Sequence, residues 1–252
     1  MSVIRGLQRL DRGPESIVLV RHGESVGNLA DAEAKRQHAE RLDLSVRDAD
    51  VELSDTGRAQ AAAVRDHLAT LPADERPTLV VSSPFARAEA TARHAVDATD
   101  LRLVIDERLR ERDLGQLDGL TGAGIRHLFA DEAERRAKVG KFYYQPLGGE
   151  SWADVVLRVR SLLSDLRQGF EHERVWLFTH QAVIMAFRYV LEGISEAELL
   201  RIDQESTIPN CSLTRYELRA DGPVLLDFAS TSMLGEDAVT EEPPVETGTG
   251  SS

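Results

Sequence analysis

Short apolar runs bounded by polar turns alternate along the chain with longer segments of helical spacing. The apolar runs predict strands at 17–20, 78–81, 102–105, 175–179, 213–218 and 224–228. The helical pattern is clearest at 55–71, 151–168 and 181–191. Strands that alternate with helices are typical of a parallel sheet covered on both faces. The pattern therefore predicts an α/β fold, a three-layer α/β/α sandwich with a mostly parallel central sheet.

The two ends of the chain differ in composition from the part between them. Residues 1–15 carry the breaker pair Gly13-Pro14 before the first strand, so we predict a flexible N-terminal lead-in. Residues 236–252 combine acidic residues, Pro243-Pro244 and a Gly/Ser/Thr end, which predicts a disordered acidic tail. No linker and no repeat interrupts residues 16–235, which we expect to form one domain.

Net charge and cysteine content limit the classes of partner and the location. The formal net charge is −13, which argues against nucleic acid and anionic membranes as partners. An anionic substrate would have to be held by a local cluster of arginines, histidines and backbone amides. Cys211 is the only cysteine, and no apolar run is long enough to cross a membrane. These features predict a cytoplasmic protein.

Polar residues follow three of the predicted strands at the point where each strand ends. Arg21-His22 follows the first, Ser82-Ser83 and then Arg87 follow the second, and Thr179-His180 follows another. The carboxyl ends of parallel strands meet at one edge of a sheet, where ligands bind. A lone histidine at such a place is more often a core residue, but here two histidines and two arginines converge. Planar guanidinium groups suit phosphate oxygens, so the pattern favours a phosphate site.

The motifs at these positions resemble the ordered signatures of the histidine phosphatase superfamily. They are RHGESVGN at 21–28, LSDTGRAQA at 53–61, SSPFARAEATA at 82–92, ERDLG at 111–115, GGES at 148–151 and THQAVI at 179–184. The resemblance extends from about residue 16 to 220. It implies the phosphoglycerate mutase-like fold, which cofactor-dependent phosphoglycerate mutases share with several phosphatases and with fructose-2,6-bisphosphatase.

The resemblance also implies roles for individual residues. It makes His22 the histidine that becomes phosphorylated and Glu111 the proton donor to the leaving group. It makes His180 the second catalytic histidine of the pocket and assigns phosphate binding to Arg21, Asn28 and Arg87. It implies neither a metal nor a cofactor, and the other histidines of the chain show no metal-ligand spacing.

Four residues in or near these motifs are candidates for a substrate mouth. Lys141, Tyr143 and Tyr144 stand just before GGES and could grip the far end of the substrate, although a surface loop with partly buried aromatic rings fits the pattern equally well. Gln181 stands where the family often has glycine, and the resemblance implies that fructose-2,6-bisphosphatases share the glutamine. Met185 stands where that branch keeps an arginine, which disfavours fructose 2,6-bisphosphate. Residues 29–50, rich in charge and alanine, fit a helical flap without a role that the sequence reveals.

Three functions are compatible with these motifs. The leading interpretation is a phosphatase that hydrolyses a small phosphorylated metabolite through phosphohistidine. The second is a phosphoglycerate-mutase-type phosphotransferase, which needs a closed pocket that keeps water from the phosphorylated histidine. Residues 116–147 form a shorter segment than mutases have, which favours hydrolysis. The third is a catalytically inactive binding protein on the same fold. Separately, the resemblance to the family makes a homodimer a reasonable expectation.

Overall fold

The computed structural model describes residues 13–97 and 99–241, and their central feature is a six-stranded sheet. The strand order is β3-β2-β4-β1-β5-β6. The strands are β1 (Ser16–Arg21), β2 (Leu79–Ser82), β3 (Leu103–Ile105), β4 (Arg174–Thr179), β5 (Leu213–Arg219) and β6 (Gly222–Ser230). The first four strands in the spatial order pair in parallel, whereas β5 is antiparallel to both β1 and β6. The predicted α/β fold with a mostly parallel sheet is confirmed.

Helices lie between the strands, and several begin at hydroxyl side chains that cap them. They are α1 (Val26–Arg36), α2 (Asp55–Thr70), α3 (Ala86–Val96), α4 (Gly122–Leu128), α5 (Ala130–Val139), α6 (Trp152–Leu166), α7 (Gln181–Glu192) and α8 (Glu196–Glu205). The Ser54 hydroxyl accepts from Gly57 N–H at the start of α2, and Ser151 forms a capping box with Asp154 at α6. Of the helices in the described part of the chain, none is long and apolar enough to span a membrane.

Alternate residues of the central strands point into two separate apolar layers. Ile17 and Leu19 of β1 pack in the layer that α6 and α7 cover, whereas Val18 and Val20 pack toward α2 and α3. Period-two alternation into two buried layers is what a sheet covered on both faces requires. Because β1 and β4 are buried on both faces, their carboxyl ends are held rigidly, and the residues that follow them inherit fixed positions.

Residues 115–147 form a cap that includes α4 and α5, and the segment 37–51 lies against it. Leu42 N–H donates to Gly119 O at 2.9 Å, and Thr121 N–H donates to Glu40 O at 3.0 Å. An isolated antiparallel bridge joins Arg41 to Leu120. The predicted helical flap over 29–50 is therefore helical in α1 and again only in the 3₁₀ turn Asp48–Asp50, because residues 40–42 between them pair with the cap.

The predicted ends of the domain need correction. Glu15 N–H donates to Glu173 O and Glu15 O accepts from Leu218 N–H, so Glu15 is held beside the sheet rather than being part of a flexible lead-in. Glu236–Ala238 forms a 3₁₀ turn, and Thr240 hydrogen-bonds to buried side chains of the domain. Residues 236–241 are thus ordered, contrary to the prediction of a disordered tail. Residues 1–12 and 242–252 lie outside the described residues.

Candidate active site

Two buried histidines meet at the carboxyl edge of the sheet. His22 directly follows β1 and His180 directly follows β4, and these strands are parallel neighbours in which Arg21 pairs with Thr179. The ring centroids are 5.1 Å apart, with the ring planes tilted by 57°. His22 N–H donates to Thr179 O at 3.0 Å, which ties the two strand ends together. The predicted convergence of the histidines is therefore observed.

Hydrogen bonds fix the position and the tautomer of His22. Its Nδ1 lies 2.8 Å from Gly23 O. Because a carbonyl oxygen can only accept, this contact places the ring hydrogen on Nδ1 and leaves a lone pair on Nε2. The backbone of the same loop is held by Thr91 Oγ1, which accepts from Gly23 N–H at 3.0 Å. The ring therefore presents an unprotonated nitrogen as a nucleophile.

The surroundings of the two rings disfavour their charged forms. Burial lowers the pKa of His22 well below its usual range, and the charges of Arg87 and Arg21 lower it further. The pKa of His180 is also lowered well below its usual range, by burial first and then by Arg87 and His22. Both imidazoles are consequently neutral at pH 7, and a neutral imidazole is able to act as a nucleophile.

The two predicted phosphate-binding arginines are buried beside the histidine pair. Arg21 Nη1 donates to Ile208 O. Arg87, in the first turn of α3, donates from Nη1 to Asp48 O at 2.6 Å and from Nη2 to Asp48 Oδ2 at 3.1 Å. Asp48 belongs to the segment 37–51 and was not identified from the sequence, because one aspartate in a charged stretch carries no distinguishing signal.

Glu111 lies in a half-buried loop after β3, and burial raises the pKa of its carboxyl group. Arg112 N–H donates to Glu111 Oε1 at 2.8 Å, and this hydrogen bond and the charge of Arg87 both lower the pKa of Glu111. The carboxylate of Asp48 raises it further. Arg158 on α6 donates to Glu111 O at 3.3 Å. A carboxyl group whose pKa is raised by burial is a candidate general acid.

The GGES motif holds the loop that carries Glu111. Glu150 accepts from Arg158 Nε at 3.0 Å, from Arg110 Nη2 at 2.5 Å and from Asp113 N–H at 3.1 Å. Arg158 also donates to Arg108 O at 2.6 Å. The sequence predicted no role for Glu150 or Arg158, and GGES stood out only by its resemblance to the family motif.

Asn28 and His180 each have a partner that the sequence did not reveal. Asn28 Oδ1 accepts from Ser25 N–H at 2.9 Å in the capping box of α1, and Asn210 Nδ2 lies 3.4 Å from the same oxygen. His180 Nε2 lies 2.8 Å from Ser83 Oγ. The role of Asn28 at the rim of the phosphate site remains a prediction, whereas Ser83 is an evident additional contact of the histidine pair.

Two of the four predicted mouth residues meet at Asp203 of α8. Lys141 Nζ donates to Asp203 Oδ2 at 2.7 Å, and Gln181 Nε2 lies 3.5 Å from Asp203 Oδ1. The guanidinium of Arg112 lies over the Trp152 indole at 5.7 Å, and Lys141 Nζ lies 6.0 Å from the same ring. Lys141, Gln181 and Arg112 therefore form one polar group, which we call the mouth cluster.

The two tyrosines lie elsewhere. Tyr143 is 56% exposed, and its hydroxyl donates to Glu196. Tyr144 is buried with Leu117 and Leu120 in the small core of the cap, and its hydroxyl donates to Glu132 at 2.6 Å. Tyr144 is thus a packing residue of the cap, which corresponds to the alternative interpretation of a loop with buried aromatic rings.

Within residues 13–97 and 99–241, no group of three or more histidine, cysteine, aspartate or glutamate side chains could hold a metal ion.

Residues 17–231 match the model of the histidine phosphatase superfamily (branch 1). Because this match covers most of the chain, the chain belongs to the histidine phosphatase superfamily.

Similar proteins include both mutases and phosphatases. A 2,3-bisphosphoglycerate-dependent phosphoglycerate mutase of Mesorhizobium japonicum is 30% identical over 216 residues, covering 83% of this chain and 95% of the mutase. A glucosyl-3-phosphoglycerate phosphatase of Mycobacterium tuberculosis is 36% identical over 151 residues, covering 60% of this chain and 59% of the relative. The solved structure of a mycobacterial glucosyl-3-phosphoglycerate phosphatase complexed with VO3 is 28% identical, with a TM-score of 0.69 and coverage of 86% and 100%.

Proposed function

We propose that this protein is a phosphatase that hydrolyses a small-metabolite phosphate monoester through a phosphohistidine intermediate on His22. The observation that carries the proposal is the buried pair of His22 and His180, with Nε2 of His22 unprotonated and Arg21 and Arg87 beside it. Guanidinium groups that face a neutral nucleophile favour a transition state whose charge spreads over phosphoryl oxygens.

The side chains support a reaction in two steps. In the first, Nε2 of His22 attacks phosphorus, the bond to the ester oxygen breaks, and the leaving oxygen takes the proton of Glu111. In the second, water attacks phosphorus, the bond to Nε2 breaks, and the Glu111 carboxylate receives the proton of that water. His180 donates a hydrogen bond to the transferring group. Inorganic phosphate leaves, and Glu111 is again protonated.

The mouth cluster favours a substrate with a second anionic group. Within the mouth cluster, Lys141 is already paired with the Asp203 carboxylate at 2.7 Å, whereas Arg112 lies over the Trp152 ring. Burial and the charge of Arg136 lower the pKa of Arg112, against the opposite effect of Glu111. A cation in such surroundings gains from an anionic partner. The names of the mycobacterial phosphatase and the mutase both refer to phosphoglycerate derivatives, which carry a carboxylate besides phosphate. We therefore propose a small phosphorylated acid as the substrate.

A mutase-type transfer is the second candidate, because the chain covers 95% of the Mesorhizobium mutase. A mutase would return the phosphoryl group of His22 to a bound phosphoglycerate instead of to water. Release of inorganic phosphate, compared with exchange between phosphoglycerate isomers, separates the two activities. The simultaneous presence of His22, Arg87, Glu111 and His180 in one site counts against the inactive binding protein.

The net charge and the single cysteine support a proposal about the location and the partners of the enzyme. We place the enzyme in the cytoplasm, with a phosphorylated metabolite as its partner and with neither nucleic acid nor membrane bound. A homodimer remains an expectation, which size-exclusion chromatography with light scattering would test.

Rapid quenching during turnover of a ³²P-labelled phosphate ester tests the intermediate. We expect an acid-labile, base-stable label on His22, and we expect His22→Ala to lower turnover by roughly three orders of magnitude or more. His180→Ala should slow turnover severely while still permitting some label. His94→Ala, at an exposed histidine of α3, is the matched control and should behave as the unmodified protein. A label that maps to His180, or turnover that survives in His22→Ala, would refute the mechanism.

A further inference from the structure

Two buried amide side chains hold the backbone on either side of Gly23 from behind the site. Gln60 of α2 and Asn210 are each 1% exposed. Gln60 Oε1 accepts from Glu24 N–H at 2.8 Å, and Asn210 Nδ2 donates to His22 O at 3.0 Å. The position of the His22 ring relative to phosphorus therefore depends on the orientation of two amide groups.

The C-terminal segment, residues 236–241, supplies the partners of both amides. Gln60 Nε2 donates to Ala238 O at 2.7 Å and to Thr240 Oγ1 at 2.8 Å. The Thr240 hydroxyl in turn donates to Asn210 Oδ1 at 3.0 Å, and Asn210 N–H donates to Thr240 O at 3.0 Å. One hydroxyl group thus accepts from one amide and donates to the other.

This arrangement determines which end of each amide faces the His22 loop. An amide presents an acceptor at one end and donors at the other, and rotation by half a turn exchanges them. Because Ala238 O and Thr240 Oγ1 require donors, Nε2 of Gln60 must face the C-terminal segment and Oε1 must face Glu24 N–H. Because the Thr240 hydroxyl donates to Asn210 Oδ1, Nδ2 of Asn210 must face His22 O. Buried amides held in this way resist rotation, since an unpaired polar atom there is costly.

We propose that the C-terminal segment is a positioning element of the reaction, in which the Thr240 hydroxyl sets the Gln60 and Asn210 amides and thereby aims His22 at phosphorus. This proposal rests on the proposed function of His22. Thr240 touches no reacting atom and acts through the two amides. A displacement of the nucleophile by a fraction of an ångström slows chemistry more than it weakens binding.

The test is the pair Thr240→Val and Thr240→Ser, with Thr207→Val as the matched control. Thr207 Oγ1 donates to Glu241 Oε2, so its loss removes a hydrogen bond of the same segment that does not reach the His22 loop. We expect Thr240→Val to lower kcat roughly tenfold with little change in KM, while Thr240→Ser and Thr207→Val stay near the unmodified protein. The loss should be equal for aryl and alkyl phosphates, because attack and not protonation is impaired.

Hydrogen exchange of the amides of residues 23–25, followed by mass spectrometry, provides a readout that does not require turnover. We expect faster exchange in Thr240→Val than in Thr207→Val. Unchanged kcat and unchanged exchange in Thr240→Val would overturn the proposal. A loss of kcat fully accounted for by the fraction of Thr240→Val protein that is unfolded would overturn it as well. A chain without any phosphatase activity would refute the proposed function, and the exchange result would still decide this inference.

Truncation provides a second comparison. Removal of residues 242–252 leaves Thr240 and Glu241 in place and should preserve kcat. Removal of residues 236–252 deletes both amide partners and should lower kcat at least as much as Thr240→Val. Equal kcat for the two truncated proteins would contradict the proposal.

Discussion

Gly57 lies where the N-terminal turn of α2 meets the loop that carries His22, and no side chain fits there. A Cβ atom at Gly57 would lie 1.9 Å from Glu24 O and 2.9 Å from both Glu24 C and Glu24 N. Gly23 is constrained from the other side, because its Cβ would lie 2.6 Å from Gly57 O. Glu24 is two residues from His22, and its carbonyl also accepts from Ser54 N–H at 2.9 Å. The atoms that would clash are backbone atoms and cannot rotate away.

We predict that Gly57→Ala displaces the His22 loop and lowers both stability and turnover. Ordinary contact begins at 3.4 Å, so Glu24 O would have to recede by 1.5 Å from the added methyl group. Overpacking of this kind costs about 1–3 kcal/mol, against which alanine gains about 1 kcal/mol of helix propensity. The net cost is up to about 2 kcal/mol, which for a chain of this size corresponds to a fall in Tm of up to about 4–8 °C. A shift of about 1 Å near the nucleophile lowers kcat by about a hundredfold.

Two other glycines separate the loss of turnover from the loss of stability. Gly124→Ala creates a comparable clash, with its Cβ 2.0 Å from Glu40 O in the segment that lies against the cap, and should lower Tm without displacing His22 directly. Gly122→Ala meets only the flexible end of Arg126, at 3.5 Å, and should change neither property. Thermal unfolding by circular dichroism, and kcat measured well below each Tm, would report both quantities. A Gly57→Ala protein with unmodified kcat would refute the reasoning.

Three further predictions concern the chemistry of the site. Activity should survive EDTA, because the described residues offer a histidine nucleophile and no metal-binding group. Loss of activity in EDTA that added Mg²⁺ restores would contradict this prediction. Glu111→Gln should impair hydrolysis of an alkyl phosphate about a hundredfold more than that of an aryl phosphate, whose leaving group needs little protonation; equal losses in kcat/KM would exclude Glu111 as the acid. The folded-state pKa values of His22 and His180 lie below the unfolded value of about 6.5, so the unfolded state binds more protons at acid pH. The free energy of unfolding should therefore fall as pH drops below about 6.5. The expected fall is up to ~1.4 kcal/mol per pH unit for each histidine. Urea unfolding at about pH 7.5 and pH 5.5, on either side of that value, should show a smaller loss in His22→Asn than in the unmodified protein.

The strands and the histidine pair could be predicted from the sequence because their signals are local. An apolar run followed by Arg21-His22 specifies both a buried strand and the residue that leaves it, and parallel strands bring such ends to one edge. Asp48 and Asn210 could not be predicted in the same way. Their contacts with Arg87 and His22 join positions 39 and 188 residues apart, and tertiary folding alone brings these together. Composition misled the prediction for residues 236–241, because Ala238 and Val239 are their only apolar residues and the segment is held by hydrogen bonds to Gln60.

The contact between Asp48 and Arg87 leads to a last prediction. The Asp48 carboxylate lies 3.0 Å from Arg87 Nη1 and its side chain is 41% exposed, so an anionic group stands beside a guanidinium that is proposed to bind phosphate. The substitution Asp48→Asn would remove this negative charge. The backbone carbonyl of the same residue, which accepts from Arg87 at 2.6 Å, would keep the guanidinium in place.

We expect Asp48→Asn to bind inorganic phosphate about tenfold more tightly, which corresponds to about 1.4 kcal/mol for two like charges separated by several ångströms at a partly exposed site. The same substitution removes one cause of the raised pKa of Glu111, so the alkaline limb of the pH–activity profile should move to lower pH. Product inhibition and the pH profile measure the two effects. Asp50→Asn is the matched control, because the Asp50 carboxylate pairs with the exposed Arg47 and not with Arg87. Weaker phosphate binding in Asp48→Asn would instead mean that the carboxylate orients Arg87 for phosphate, and the expectation of charge repulsion would be wrong.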